Sequence, residues 1–221
     1  GGQSGLVGGL GGGGRGLFGL DVTDPSTFSE ANADDIVLGE FTNADDDHLG
    51  YSYSKARFGK MNNGRSAVII GNGRKDTATD ETGGQAQLFI VYLDGPGGDG
   101  VWDLGSDYLR ISTGEGTAAS RNALFAPIGI DSMIPQDGKV DLVYAGDLYG
   151  NLWRFDLSGS SERLWSSPAK PLFKGDKTRP ITAIPAVGVA PASVTDFAPI
   201  RTGALAKTHP VMVFFGSGRL L

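Results

Sequence analysis

Short apolar runs that stop on a glycine and resume behind it constrain this chain more than any other feature. "LVGGLGGGGRGLFGLDVTDP" (Leu6 to Pro25) sets two such runs around a glycine corner. "AVIIGNGRKD" followed by "QAQLFIVYLDG" (Ala67 to Gly95) repeats the pattern with a longer polar loop, and "DLVYAGDLYGNLWRFDLSG" (Asp141 to Gly159) repeats it with the tightest turn. "PVMVFFGSGRLL" (Pro210 to Leu221) reads as the first half of a fourth copy. In each complete copy a buried strand closes on the corner, and the next strand carries an aromatic, Phe18, Phe89 or Trp153. No segment sustains a helical apolar period over three turns, because glycine or proline interrupts most windows. Strands bounded by Gly, Asn, Asp and Pro are the alternative.

Corners that recur about 60 to 75 residues apart are long for one four-stranded propeller blade with modest insertions. The expected architecture is all-β: a β-propeller, with small residues where blades crowd together and bulky middle strands packed face to face. Between the corners, Asp34–Phe41 reads as a strand. Val101–Gly116 and Lys170–Pro191 read as strand pairs, and Ala123–Asp131 as an edge or bulged strand with Pro127 inside it. The stretch from Ala192 to Thr208 reads as a loop insertion. No linker-like break divides the chain, so residues 1–221 are taken as one array.

Composition removes several function classes. With 36 glycines in 221 residues but no triplet period and 39% hydrophobic residues, the chain is neither collagenous nor disordered. A net charge of −6 lacks the basic footprint of a general nucleic-acid binder. The absence of cysteine rules out disulfides and thiolate chemistry. No apolar run is long enough to form a transmembrane helix. "GGLGGGGRG" touches the dinucleotide fingerprint, but a strand follows it where that fingerprint needs a helix, so nucleotide binding is rejected.

Two acidic stretches are candidate sites. From Asp131 to Asp141 the chain reads "DSMIPQDGKVD" and leads into an alternating strand. Either its carboxylates hold a hard cation, or Asp-Gly is an acidic hairpin turn needing no metal. Asp45-Asp46-Asp47-His48 is read as a solvated charge run, with a second oxygen-rich cation site (joined by Asn43) as the alternative. His48 and His209 are read as ordinary surface residues, and Trp102, Trp153 and Trp165 as packing between blades.

The blocks "GGLGGGGRGLFGLDVTDP", "NNGRSAVIIGNG", "DGKVDLVYAGDLYGNLWRFDL" and "RPITAIPAV" together resemble the C-terminal propeller of PilY1-type proteins, the type IV pilus biogenesis factors and tip adhesins also called PilC. The resemblance runs from Leu6 to about Leu221, weakens between Ala192 and Thr208, and is most specific in "YAGDLYGNLWRFDL". It implies a modified seven-bladed, quinoprotein-like propeller, of which this segment holds about four blades; the remaining blades and an N-terminal adhesive region lie upstream. It implies an extracellular or cell-surface place at the pilus tip, with outer-membrane association as a variant. The implied partners are minor and major pilins and host-surface or matrix ligands. The implied role is non-enzymatic: pilus biogenesis, attachment, and calcium-dependent balance between extension and retraction.

The family's calcium loop follows D-x-[DN]-x-D-G-x-x-D with a backbone carbonyl at its seventh position. Asp137-Gly138-Lys139-Val140-Asp141 matches the second half, with Asp137 and Asp141 as ligands and Lys139 giving its carbonyl. The first half departs. Asp131 comes two residues early and the third ligand position holds no Asp or Asn; Ser132, Gln136 or a backbone carbonyl near Ile134 is the candidate substitute. Asp131, Asp137, Lys139 and Asp141 are the expected metal set. Two other functions compete. A quinone-dependent, calcium-containing dehydrogenase shares the fold, but many such enzymes carry an adjacent cysteine pair that this chain lacks. A generic carbohydrate- or protein-binding propeller accounts for the repeats but not for the specific blocks.

Overall fold

The computed structural model describes residues 4–76, 82–132, 135–165, 169–189 and 211–218. Its strands form four sheets in chain order. The first contains β1 (Gly5–Gly9), β2 (Gly16–Asp21) and β3 (Val37–Thr42), paired antiparallel in the order β1-β2-β3. The second contains β4 (Arg57–Met61), β5 (Ser66–Gly71), β6 (Gln87–Tyr92) and β7 (Tyr108–Ser112) as an antiparallel meander. The third contains β8 (Ile128–Ile130), β10 (Leu142–Gly146), β11 (Leu152–Asp156) and β12 (Lys170–Phe173). The short β9 (Lys139–Val140), from the β8–β10 connection, pairs parallel with β4 and ties the second sheet to the third. β13 (Ala186–Val189) and β14 (Val211–Phe214) form the fourth pair. Among the described residues the only α-helix, α1, is the single turn Ala33–Ile36.

The continuous apolar runs of β5 and β6 follow from the position of their sheet. Val68, Ile70, Phe89 and Val91 point to one side and join Leu17 and Phe41 of the first sheet. Their neighbours Ile69, Leu88, Ile90 and Tyr92 point to the other side and join Val143, Trp153 and Phe155 of the third sheet. A strand covered on both faces needs no polar alternation. This stacking of sheets face to face is the propeller arrangement that the repeats lead one to expect. All three tryptophans are packing residues. Trp153 and Trp165 lie in the core, and Trp102 meets Phe41 edge-on at 5.2 Å while donating to the Glu40 carbonyl at 2.9 Å.

The corner glycines have a steric reason. A Cβ on Gly71 would stand 2.4 Å from the carbonyl oxygen of Leu124, and one on Gly146 would stand 2.4 Å from that of Ile181. Each corner is therefore where the chain entering the next sheet crosses behind the strand end, too close for any side chain.

Several expectations need correction. Asp34–Phe41 is not all strand: α1 occupies its start, and β3 begins at Val37. Val101–Gly116 yields β7 alone, preceded by a turn with one isolated bridge, Leu104 to Tyr108. β12 and β13 do not pair with each other; they close different sheets, because the segment between them carries the chain across to the next blade. β8 is an edge strand as expected, but it starts after Pro127, whose ring cannot donate to the ladder. β1 is half exposed rather than buried. The Ala192–Thr208 insertion lies outside the described residues.

Candidate functional site

The loop from Asp131 to Asp141 joins β8 to β10 through β9. Its three carboxylates are each engaged by the chain. Asp131 Oδ2 accepts the Gly138 N–H at 2.7 Å. Asp137 accepts the Lys139 N–H at 3.1 Å, and its other oxygen meets the Lys139 ammonium at 2.5 Å. Asp141 is fully buried; Oδ2 accepts the Ser132 N–H at 2.7 Å, and Oδ1 accepts Asn62 Nδ2 at 3.1 Å. The same Asn62 amide reaches the carbonyls of Val140 and Leu157, both at 3.0 Å. Asp141 is thus part of the junction between the second and third sheets as well as of the loop.

The electrostatics of the loop centre on Lys139. Its hydrogen bond and charge contact with Asp137, helped by Asp141 and Asp131, hold its ammonium above the usual lysine range. Asp137 is lowered in turn by its hydrogen bonds with Lys139. The loop already focuses negative potential from three carboxylates on one cation, and that cation is its own lysine. The donors are hard oxygens of the kind calcium takes, about six to eight at a time. Among the described residues, however, no three His, Asp or Glu side chains come close enough to share one metal ion. As the side chains stand, the Lys139 ammonium occupies Asp137. Ser132 and Gln136 spend their amides within the loop, Gln136 reaching the Asp131 carbonyl at 3.4 Å; Ile134 lies outside the described residues.

The second acidic stretch is solvated only in part: Asp45 is exposed, but Asp46 is not. Asp46 is only 6% exposed. It accepts the Tyr108 hydroxyl at 2.9 Å, Arg110 at 3.0 Å and the His48 N–H at 2.9 Å, with His48 Nδ1 at 3.0 Å. Burial, and then Asp46, pushes the Tyr108 phenol well up from its usual range. His48 is no surface residue: its ring lies between Asp46 and Thr82 Oγ1, the latter at 3.0 Å. His209 lies outside the described residues. Asp47 faces Lys75 at 3.4 Å and Arg15 at 3.5 Å. The stretch anchors the crossing from the first sheet to the second.

A third buried carboxylate escapes any reading of local charge. Asp147, at the corner between β10 and β11, is fully buried. Oδ2 accepts Asn122 Nδ2 at 2.9 Å, Asn151 Nδ2 at 2.9 Å and Trp153 Nε1 at 2.8 Å, while Oδ1 accepts the Asn151 N–H at 2.7 Å. The spacing in "GDLYGNLW" carried the signal: a carboxylate four residues before an amide and six before an indole, across a tight corner. Asn72 holds the matching place after Gly71, accepting the N–H groups of Gln87 at 3.0 Å and Leu124 at 2.9 Å. Asparagine there and aspartate here perform one task, fastening a corner to the incoming chain.

A family model described as the PilY1 beta-propeller domain matches residues 3–221. The chain belongs to this family. A type IV pilus biogenesis factor PilY1 homolog of Xylella fastidiosa (strain Temecula1 / ATCC 700964) is 36% identical over 233 residues, covering 97% of this chain and 13% of that protein. The type IV pilus biogenesis factor PilY1 of Pseudomonas aeruginosa (strain UCBPP-PA14) is 37% identical over 159 residues, covering 71% of this chain and 11% of that protein. The crystal structure of the Pseudomonas aeruginosa PilY1 C-terminal domain is similar with a TM-score of 0.70 at 28% identity, over 98% of this chain and 41% of that one. The chain therefore spans about an eighth of the full relatives and under half of the solved PilY1 domain.

Proposed function

We propose that this chain is a non-enzymatic structural module of a PilY1-type pilus biogenesis factor, one set of blades within a larger C-terminal propeller. The observation that carries this reading is the near-continuous match, over 97% of the chain, to a relative named as a type IV pilus biogenesis factor homolog. In this reading the propeller sits at the cell surface or pilus tip, meets minor and major pilins, and supports attachment. The buried carboxylates at Asp46, Asp141 and Asp147 serve the junctions between blades, which suits a body that bears load.

Calcium belongs to the same proposal. Asp131, Asp137, Asp141 and the Lys139 carbonyl would hold it, and the ion would fasten β9 and the β8–β10 connection. Binding to the folded state alone stabilises by mass action. The test is deletion of the segment encoding this chain from its parent protein, followed by shearing of the cells and immunodetection of pilin. Loss of surface pilin with unchanged cellular pilin is expected. Normal surface piliation in the deletion strain would overturn the proposal.

A further inference from the structure

The two ends of the sheets carry different charge. Away from the glycine corners, the β2–β3 connection holds Asp24, Glu30, Asp34 and Asp35, and the β6–β7 connection holds Asp94, Asp99, Asp103 and Asp107. Neither contains Lys or Arg. At the corner end, the crossing from β12 to β13 reverses this: Lys174, Lys177 and Arg179 stand against Asp176 alone. In a chain of net charge −6, that crossing is a local positive surface.

The crossing is pinned to the β10–β11 turn. The Gly175 N–H donates to Asn151 Oδ1 at 3.3 Å, and the Ile181 N–H to the Asp147 carbonyl at 3.0 Å. A Cβ on Gly150, whose φ of 80° already favours glycine, would stand 2.6 Å from the carbonyl oxygens of both Asp176 and Arg179. Chain lies on either side of the crossing. The β7–β8 crossing flanks it through Ser120, and beyond it the Gly218 N–H donates to the Pro180 carbonyl at 3.1 Å. The surface is therefore built by the connections that join the second, third and fourth sheets.

The β7–β8 crossing adds to the charge. Lys177 Nζ lies 3.9 Å from the Tyr149 ring centroid and donates to Ser120 Oγ at 2.8 Å. Ser120 Oγ and the Tyr149 hydroxyl are 2.7 Å apart. These neutral groups place the ammonium without cancelling its charge. Arg121, next to Ser120, is exposed, and its guanidinium donates to the Ala118 carbonyl at 3.2 Å. The acidic residues nearby are engaged: Glu115 pairs with Lys174 at 3.1 Å, and Asp176 Oδ1 accepts the Thr178 N–H at 2.8 Å. Arg121, Lys177 and Arg179 are the cations that this surface presents to solvent.

We propose that this surface docks a short acidic segment of another polypeptide, whose carboxylates pair with Arg121, Lys177 and Arg179. Carried on pinned connections, the three charges lose little freedom on binding. Lys177 covers the Tyr149 ring face, so the surface offers a sugar no stacking platform there. The segment is short because the β3–β4 crossing, at the same end of the sheets, brings back negative charge with Asp45, Asp46 and Asp47. This docking is independent of the pilus role and of the Asp131–Asp141 loop, which lies at the opposite end of the sheets.

Fluorescence anisotropy of a fluorescein-labelled oligoglutamate peptide, titrated with the 221-residue chain, tests this. Binding should weaken as salt is raised. Arg121→Glu combined with Arg179→Glu, two exposed positions, should weaken it by about tenfold or more. Lys177→Met, which keeps an apolar stem over Tyr149, should weaken it by about threefold. Lys60→Glu combined with Arg163→Glu makes the same change in net charge at exposed positions elsewhere and should leave affinity within about twofold. Unlabelled oligogalacturonate and oligothymidylate should compete poorly. Three results would overturn the proposal: no binding of the oligoglutamate, equal losses in the two double variants, or tighter binding of either competitor than of the peptide.

Discussion

Replacing Asp147 by Ala sets two large effects against each other. Removing a fully buried carboxylate returns its desolvation cost, and substitutions that exchange buried ions for apolar groups can be neutral on that account. Here the partners remain. Asn122 Nδ2, the N–H and Nδ2 of Asn151, and Trp153 Nε1 would lose their acceptor together. Each donor left unsatisfied in the interior costs about 1–3 kcal/mol, so four outweigh the relief and the net loss should be about 3–5 kcal/mol. That is a large share of a typical stability of about 5–15 kcal/mol. Asp147→Asn gives a finer test. Its carbonyl can keep the three donors on the Oδ2 side, but its NH2 then faces the Asn151 N–H, so the loss should be about 1–3 kcal/mol. Guanidinium unfolding followed by tryptophan fluorescence measures both, with an unchanged slope as the check that the unfolded state is not altered. A loss under about 1 kcal/mol for the Ala variant, or an Asn variant no better than Ala, would refute the assignment of Asp147 as the corner's fastener.

Three further outcomes are expected. Gly71→Ala forces a Cβ to within 2.4 Å of a backbone oxygen and should destabilise by about 1–3 kcal/mol or more, whereas Gly188→Ala, with nothing within 4 Å, should fall within about 0.5 kcal/mol of wild type in the same melts. Burial raises the Glu162 carboxyl, but its own backbone N–H, Asn63, Tyr92 and the Arg65 charge outweigh this and hold it below the usual 4.5. Its stabilisation is therefore complete above that value and is lost as pH falls through the folded pKa, so Glu162→Gln should flatten part of the acid decline in Tm below pH about 4.5. In calcium calorimetry Lys139→Met should tighten binding by removing the competing ammonium while keeping the carbonyl, and Asp137→Ala should abolish it; weaker binding in the Met variant would contradict the proposed ion exchange. Asp141→Ala is the poorer probe, because it also breaks the Asn62 junction.

Much of the fold was legible because its causes are local. The corner glycines mark places where backbone crosses backbone, and β5 and β6 read as apolar throughout because both their faces are covered. Sheet membership was less legible: β12 and β13 look like a hairpin in sequence, and only the crossing between blades separates them. The candidate loop was legible in its residue types but not in its present pairing, where Lys139 itself is the cation beside Asp137.

The acidic residues divide most sharply between what sequence and structure determine. Their positions after glycine corners and before strands are visible in the chain, and the count of carboxylates says that negative charge must be accommodated somewhere. Which of them leave water is decided by donors far along the chain. Tyr108 and Arg110 reach Asp46 from 62 and 64 residues away, Asn122 reaches Asp147 from 25, and Asn62 reaches Asp141 from 79. A carboxylate can be buried only where such donors converge, and that convergence exists only once the sheets are stacked.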